Sequence, residues 1–331
     1  MQQSRNARLT DHKCTDIPTK ERFDVSIVVP LYNEEASLQE LHRRITEVLE
    51  KTGVSYELIF VDDGSEDRSY PILESLHASD PHVKVVSFRR NFGKAAALTA
   101  GFEETVGDIV ITMDADLQDD PDEIPNFIAE IRSGKDLVSG WKKQRHDPLN
   151  KRLPSKIFNI MFCAIAGLKL HDFNCGFKAY RRDLLDHIEL YGELHRYIPA
   201  LANWKGFKVD EIVVKHHPRK FGKSKYGYER ILKGFFDMIT IYFTRKYNKS
   251  PLHVFGKIGV FFGLIGFGAL SYLAALWFLG YRPIGNRPLL FLGMLSILFG
   301  MQLVAFGLMN EMLVKIENRF DKGYVIRNTL K

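Results

Sequence analysis

Two aspartates and a glutamine at alternate positions form the segment of this sequence best suited to metal chemistry. The segment reads Asp114-Ala115-Asp116-Leu117-Gln118 and follows the apolar run DIVITM. If it is extended, alternate side chains point the same way and can offer three oxygens to one hard cation. We therefore predict that Asp114, Asp116 and Gln118 hold Mg²⁺ or Mn²⁺, which could bridge a diphosphate. Pairs of aspartates with this spacing also occur in ordinary turns. The prediction of a metal site therefore depends on the position of this pair directly after a predicted buried strand.

Polar side chains also follow two other apolar runs. Asp62 ends the run YELIFVD, and a carboxylate at such a place can accept hydrogen bonds from a base or a ribose. Pro30, Tyr32 and Glu34 lie at the end of the run VSIVVP and in the loop after it, where an aromatic ring could stack on a base. The alternatives are a plain turn after Asp62 and a packing role for Tyr32.

The glycine-rich loops that bind phosphate in other nucleotide enzymes are missing from the sequence. It contains no G-x-x-x-x-G-K-[ST] motif, and its one G-x-G, at Gly266 and Gly268, lies inside a long apolar segment. A diphosphate would then need a metal ion and basic side chains. Basic clusters at residues 142–152 and 219–226 could supply the side chains, although the second could equally be a solvated or headgroup-binding loop.

Alternating strands and helices are predicted for the first half of the chain. Short apolar runs typical of buried strands alternate with segments of helical periodicity, which predicts an α/β fold with a mainly parallel, Rossmann-like sheet and helices on both faces. The predicted strands are 25–30, 56–62, 83–88, 108–113 and 136–140, and the predicted helices are 37–51, 69–78, 94–104 and 122–133. Ligands collect beyond the carboxyl ends of parallel strands, which is where the polar loops fall.

Two long apolar segments near the C-terminus are predicted to span a membrane. Residues 258–281 and 288–310 contain no charged side chain, and each exceeds the roughly 20 residues that cross a bilayer core. The only charged residues between them are Arg282 and Arg287, whereas several lysines and arginines flank both outer ends. By the positive-inside rule both ends face the cytoplasm. The net charge of +6 gathers beside these segments and in the basic clusters, so membrane and phosphate explain it better than nucleic acid.

The remaining segments complete the predicted organisation. It comprises a disordered tail at 1–24, a cytoplasmic catalytic domain at 25–227, an amphipathic juxtamembrane helix at 228–250, two transmembrane helices within 251–315 and a cytoplasmic tail at 316–331. Residues 157–168 also have the pattern of an interfacial helix, and the alternative for both interfacial segments is a core or oligomer contact. Four glycines in the first span predict close helix packing and a homo-oligomer: Gly259, Gly263, Gly266 and Gly268. The three cysteines have no metal or disulfide spacing.

Several of these motifs together resemble the family-2 inverting glycosyltransferases of GT-A type. Within that family the chain is similar to the polyprenyl-phosphate glycosyltransferases, which include dolichyl-phosphate mannose synthases and bactoprenol glucosyltransferases. The likeness covers about residues 24–245, and the two C-terminal spans match the bactoprenol subgroup. Lys178 departs from the pattern, because relatives usually carry arginine there. The motifs that carry the resemblance are 28–34, 61–65, 91–94, 114–118, 172–180 and 219–226.

The resemblance implies roles for individual residues. Asp116 and Gln118 would hold the metal ion with the diphosphate. Asp172 would be a general base or a sugar-orienting group, with a structural cap as the alternative. Nucleotide-sugar contacts are expected from Pro30, Tyr32, Glu34, Asp62, Lys94 and Asp114, and contacts to donor or acceptor phosphates from Arg152, Ser155, Lys178, Arg219 and Lys225. The expected catalytic residues are Asp116, Asp172 and Arg219.

A polyisoprenyl phosphate, of the undecaprenyl type, is the expected acceptor at the cytoplasmic face of the membrane. A lipid monophosphate is already largely ionised at neutral pH, because its second pKa is about 6, so it needs no general base. Because the two C-terminal spans match the bactoprenol glucosyltransferase subgroup, we expect inverting transfer of glucose from UDP-glucose. The alternatives are mannose or another sugar with the same lipid, a different lipid acceptor, and a catalytically silent scaffold that binds nucleotide sugar.

Overall fold

The computed structural model describes residues 22–143, 163, 166–188, 190, 194–218, 251–281, 283, 285 and 287–317. They fall into two compact units. The first contains the N-terminal α/β sheet, and the second contains the two long C-terminal helices together with residues 166–167 and 204–206. The predicted N-terminal and C-terminal tails and the amphipathic helix at 228–250 lie outside the described residues, as does most of the predicted interfacial helix at 157–168.

The first unit is built on a seven-stranded mixed sheet with the order β3-β2-β1-β4-β6-β5-β7. Strands β1 to β4 run parallel to one another, and β5 pairs parallel with β7. Strand β6, between β4 and β5, is antiparallel to both. The predicted α/β class and mainly parallel sheet are confirmed. The strands are β1 Val25–Leu31, β2 Tyr56–Asp62, β3 Val83–Ser87, β4 Ile109–Thr112, β5 Leu137–Trp141, β6 Lys178–Arg181 and β7 Val209–Val213.

The central strands form because their residues can be buried on both faces. Every residue of β1 and β2 is buried, as expected for continuous apolar runs between two layers of helices. Helix α3 packs closely on β1, since a Cβ at Gly101 would lie 2.4 Å from Val28 Cγ1. The helices of this unit are α1 Leu38–Thr52, α2 Ser69–Ser79, α3 Lys94–Glu104, α4 Ile124–Arg132, α5 Arg182–Leu185 and α6 Ile198–Trp204.

Two strands were not predicted, and one of them shapes the site. Strand β6 is four residues long and pairs along its length with β4, where Thr112 lies opposite Lys178. So short a run, KAYR, carries no strand pattern of its own, and it forms because neighbouring strands supply hydrogen bonds on both sides. Its insertion brings residues 172–178 beside the carboxyl end of β4.

The second unit contains two helices long and apolar enough to cross a membrane, α7 Pro251–Phe278 and α8 Pro288–Glu317. Only 17% of the most apolar window of each is buried. A core helix of a soluble protein would be covered by its neighbours, whereas these helices expose large apolar side chains such as Phe261, Leu264 and Phe267. Exposure of this kind is typical of lipid-facing surface.

Glycines bring α7 and α8 into close contact within one chain. A Cβ at Gly259 would lie 2.6 Å from the carbonyl oxygen of Gly300, and one at Gly266 would lie 2.5 Å from that of Gly293. Small residues let helix backbones approach in a membrane, where packing replaces the hydrophobic effect. These glycines therefore support the helix pair itself, and the predicted homo-oligomer stays a prediction.

Replacing Gly266 with leucine should destabilise the helix pair. The new side chain would collide with the backbone of Gly293, so we expect a lower yield of folded protein and a thermal transition lowered by several degrees in detergent, a cost of about 1–3 kcal/mol for overpacking. Gly268→Leu is the matched control, because a Cβ at Gly268 meets nothing within 4 Å. Equal transition temperatures for the two variants would contradict this packing.

Candidate functional site

The loop after β4 turns sharply, and the prediction that residues 114–118 are extended is wrong. The chain turns at Ala115 and Asp116, and Leu117 has a φ of 59°, in the left-handed region. That conformation costs about 1–2 kcal/mol for a residue with a Cβ. It persists because the Leu117 side chain is only 2% exposed and packs in the core of the sheet unit. Side-chain direction here follows from the turn rather than from strand alternation.

The turn holds Asp116 and Gln118 close together. The Gln118 N–H donates to Asp116 Oδ1 over 3.1 Å, and the Asp116 side chain is largely buried. Gln118 is held from the other side by His217, whose N–H donates to the Gln118 carbonyl over 2.8 Å. The two predicted metal ligands thus lie in a braced loop at the carboxyl end of β4.

Asp114 is held between a cation and a glycine. Its Oδ1 forms an ion pair with Lys94 Nζ at the start of α3. A Cβ at Gly176 would lie 2.7 Å from Asp114 Oδ2, so only glycine fits at that position without displacing the carboxylate. The start of α3, the loop after β4 and the segment before β6 therefore meet at Asp114, which is predicted to contact both the nucleotide and the metal ion.

Gly176→Ala should lower the rate of the sugar transfer that the resemblance implies at least about 10-fold, since displacing a group from its productive geometry by even about 1 Å can cost 100-fold. The added methyl must push the Asp114 carboxylate aside. Steady-state transfer rates with the purified protein test this, and circular dichroism checks that the fold is kept. A wild-type rate would mean that the position of Asp114 does not matter to transfer.

The two aspartates after β2 play different structural parts. Asp62, which is 1% exposed, accepts hydrogen bonds from the Ser65 N–H and the Ser87 hydroxyl, both over 3.0 Å. Asp63 accepts from the backbone N–H groups of Phe92 and Gly93. Burial raises the pKa of Asp63 above its usual value, and these two donors offset only part of that effect.

The first loop is braced against the second. The Asn33 N–H donates to Ser65 Oγ over 2.9 Å, and the Glu34 N–H donates to Ser69 Oγ over 3.0 Å. Asn33 has a φ of 53°, a left-handed conformation that asparagine tolerates better than most residues. This conformation turns the chain between Tyr32 and Glu34. The predicted base-binding residues Tyr32 and Glu34 thus belong to one ordered loop, and Pro30 lies in β1 just before it.

A buried ion pair next to the loop of residues 114–118, called the acidic loop below, was not predicted from the sequence. Asp119 is fully buried, and its Oδ1 lies 2.8 Å from Lys142 Nζ and 3.8 Å from His216 Nδ1. Burial acts to raise the pKa of Asp119, but Lys142 and His216 outweigh it and hold the pKa of that carboxyl well below its usual range. Lys142, assigned by sequence to a phosphate-binding cluster, is thus already paired.

A second pairing ties the same loop to helix α1. Asp120 accepts from Arg44 over 2.6 Å and is bonded to His217 Nε2 over 2.8 Å. His216 and His217 thus both contact the loop that follows β4. No sequence signal could have found these contacts, because His217 is 97 residues from Asp120.

The segment before β6 contributes two further predicted residues. Asp172 is 2% exposed, and its Oδ1 accepts from the Asn174 N–H over 3.0 Å, in keeping with the cap alternative. Lys178 is also buried and donates to the Cys175 carbonyl. Burial lowers the pKa of Lys178 to about 8, and the charges of Lys94, Asp172 and Asp114 all act on it. The structure thus brings these four predicted residues into one neighbourhood.

Four predicted phosphate-binding residues lie outside the described part of the chain. They are Arg152, Ser155, Arg219 and Lys225. Their roles stay predictions.

The donor set of the acidic loop fits a small divalent ion. Mg²⁺ and Mn²⁺ prefer oxygen ligands, and Mg²⁺ is usually bound by one or two carboxylates with substrate phosphates and water completing the shell. Asp114, Asp116 and Gln118 offer carboxylate and amide oxygens. Among the described residues no group of three histidine, cysteine, aspartate or glutamate side chains forms a metal site, so a complete cage from protein alone is absent there.

Comparison with known proteins identifies the family. The sequence model of Glycosyl transferase family 2 matches residues 26–189. The chain is 36% identical over 317 residues to the dodecaprenyl-phosphate galacturonate synthase of Rhizobium johnstonii, covering 92% of each protein. This chain belongs to glycosyl transferase family 2, among the polyprenyl-phosphate glycosyltransferases. It is also 37% identical over 313 residues to an undecaprenyl-phosphate 4-deoxy-4-formamido-L-arabinose transferase of Pseudomonas aeruginosa, covering 92% of this chain and 91% of the relative.

Solved structures show the same fold at lower identity. Glucosyl-3-phosphoglycerate synthase of Mycobacterium tuberculosis, in complex with Mn²⁺, uridine diphosphate and phosphoglyceric acid, superposes with a TM-score of 0.53 at 19% identity. The match covers 67% of this chain and 78% of that one. The predicted GT-A fold is thereby confirmed, whereas the expected glucose donor is not, because the two named relatives transfer galacturonate or formamido-arabinose.

Proposed function

We propose that this polyprenyl-phosphate glycosyltransferase transfers a polar-modified sugar, a hexuronate or a 4-formamido pentose, from a uridine diphosphate donor to undecaprenyl-type phosphate. The observation that carries the proposal is likeness over nearly the whole chain, helix pair included, to transferases whose names give these sugars. Glucose was the expectation from subgroup resemblance alone. The relatives favour a modified sugar over it.

The chain's own residues would hold the donor by its charged end. Pro30 and Asp62 lie at the carboxyl ends of β1 and β2, and Tyr32 and Glu34 lie in the loop after β1. These four residues would contact base and ribose. Asp114, Asp116 and Gln118 would hold Mg²⁺ or Mn²⁺. When bound, that ion would neutralise charge on the departing diphosphate.

The lipid phosphate would attack the anomeric carbon on the face opposite the leaving group, with inversion. It brings its own anionic oxygen, so the task left to the protein is to hold two anions at one place in the correct orientation. Lys94, Lys178 and the predicted Arg152, Ser155, Arg219 and Lys225 would offset this charge. Asp172 would orient the sugar, since an ionised acceptor makes a general base unnecessary.

The membrane helices fit this acceptor. A polyisoprenyl tail stays in the bilayer, so its phosphate is accessible only at headgroup height. Helices α7 and α8 would anchor the protein in the bilayer, and by the positive-inside rule the sheet unit would face the cytoplasm. We propose an integral membrane enzyme with a cytoplasmic catalytic domain.

A panel assay tests the proposal. Full-length protein in nanodiscs is incubated with Mg²⁺ or Mn²⁺, undecaprenyl phosphate and one of UDP-galacturonate, UDP-4-formamido-arabinose, UDP-glucose and GDP-mannose, each labelled in the sugar. We expect lipid-linked label from one of the first two and none when undecaprenol replaces undecaprenyl phosphate. Equal product with undecaprenol would refute the acceptor, label from glucose or mannose would refute the sugar class, and donor binding without turnover would indicate a silent scaffold.

A further inference from the structure

An aromatic stack lies next to Asp172, near the edge of the sheet that β7 forms. The ring of His171 stacks on that of Trp141, with centroids 3.9 Å apart and planes 13° from parallel. Trp141 is the last residue of β5, so its position is fixed by the sheet. The stack therefore attaches the residue before Asp172 to a rigid strand.

The same histidine is held by a carboxylate on β7. Glu211 accepts from the His171 backbone N–H over 2.8 Å through one oxygen, and its other oxygen is bonded to His171 Nδ1. The Glu211 side chain is only 14% exposed, so the carboxylate itself is held against the sheet. Two bonds from one carboxylate fix both the backbone and the ring of His171.

Strand pairing explains why the three groups meet. Strands β5 and β7 are parallel, with Trp141 opposite Val213 and Ser139 opposite Glu211. Residues two apart on a strand share a face, so Trp141 and Glu211 project from the same side of the sheet. His171 lies across both strands on that side. Because consecutive Cα atoms are about 3.8 Å apart, fixing His171 limits where Asp172 can lie.

We propose that Trp141, His171 and Glu211 are positioning residues that hold Asp172 in its working place for sugar transfer. The inference rests on the proposed function, in which Asp172 orients the sugar. The side chain of His171 is 61% exposed, so it adds little to the core. The buried neighbours Leu170 and Phe173 anchor the segment in the unit, whereas the His171 contacts set its register on the sheet edge.

A double-mutant cycle separates positioning from general destabilisation. We expect Glu211→Ala to lower kcat about 10-fold with the donor KM changed less than about 2-fold, and Glu211→Gln, which keeps one acceptor for the backbone N–H, to recover part of the loss. Asp172→Asn should lower kcat by about 100-fold or more, and adding Glu211→Ala to it should cost less than about 2-fold further, because coupled residues are not additive.

The matched control is Asp210→Ala on the same strand. Asp210 pairs with Lys135 and accepts from the Glu211 backbone N–H, but it contacts neither His171 nor the Glu211 carboxylate. Its loss should therefore leave kcat within about 2-fold of wild type. Trp141 fluorescence, taken as the difference from Trp141→Phe, should shift to longer wavelength in Glu211→Ala as the stacked ring opens to water, and stay unchanged in Asp210→Ala.

Each alternative result overturns one claim. The positioning role is wrong if the losses in kcat of the two single variants multiply in the double variant. It is also wrong if Asp210→Ala lowers kcat as much as Glu211→Ala does. Either result leaves the proposed transferase function standing. A wild-type rate in Asp172→Asn would overturn the positioning role as well. If the wild-type protein makes no lipid-linked sugar from any donor of the panel, the proposed function itself fails.

Discussion

Asp116→Asn should lower the rate of sugar transfer by about 1,000-fold or more while leaving the protein folded. The substitution keeps an oxygen for the Gln118 N–H but removes the charge that would hold a divalent ion. Electrostatic groups aimed at developing charge are worth about 100- to 1,000-fold each, and here a ligand and its ion are both affected. Initial rates of lipid-linked product and nucleoside diphosphate release measure the effect.

Asp122→Asn is the control for loss of one negative charge nearby. Asp122 is exposed on the short helical turn Pro121–Glu123, six residues beyond Asp116. Its removal should leave the transfer rate within about 2-fold of wild type, as for most surface substitutions. If Asp116→Asn retains activity at saturating metal, the metal-holding role of Asp116 is wrong.

Lys142→Met should destabilise the sheet unit by about 3–5 kcal/mol, because it removes the lysine partner of the buried Asp119 carboxylate and leaves only the more distant His216 beside it. The folded-state pKa of Asp119 is depressed, so its stabilising effect is present at neutral pH and is lost as pH falls through that folded pKa. The wild-type pair should therefore persist between about pH 5 and 8, and the loss in Lys142→Met should be full across that range. Thermal unfolding of the purified protein measures it.

The double variant Asp119→Leu with Lys142→Met separates pairing from packing. Replacing both partners by apolar side chains removes the uncompensated charge, so most of the lost stability should return. Lys135→Met, which breaks the exposed pair with Asp210, should cost less than about 1 kcal/mol. A Lys142→Met transition as high as that of Lys135→Met would show that the Asp119 pair contributes no stability.

The parallel core of the sheet could be predicted because its signals are local. Strands β1 and β2 are uninterrupted apolar runs, and the predicted bounds agree with the structure to within one residue. Strand β6 could not be found in this way, because the four residues of KAYR are too few to show a periodic pattern. Its position is decided by hydrogen bonds to β4 and β5, which are distant in sequence.

The same difference between local sequence signals and long-range contacts applies to the candidate site. Asp62, Asp114 and Asp116 could be chosen as candidates because Asp62 ends a strand that the sequence predicts and the other two follow one. The contacts that hold them in place join residues far apart in the chain, such as Asp120 with His217, and depend on how the strands are ordered. The turn at Leu117 was also missed, since a left-handed leucine is set by burial of its side chain and not by local preference.

A structure of the full-length protein in nanodiscs with Mn²⁺ and UDP tests the central claim most directly. We predict an ion signal between the Asp116 carboxylate and the diphosphate, with Gln118 within coordination distance of about 2.0–2.4 Å. Uridine diphosphate bound away from residues 114–118, or bound there with no ion beside it, would contradict the account.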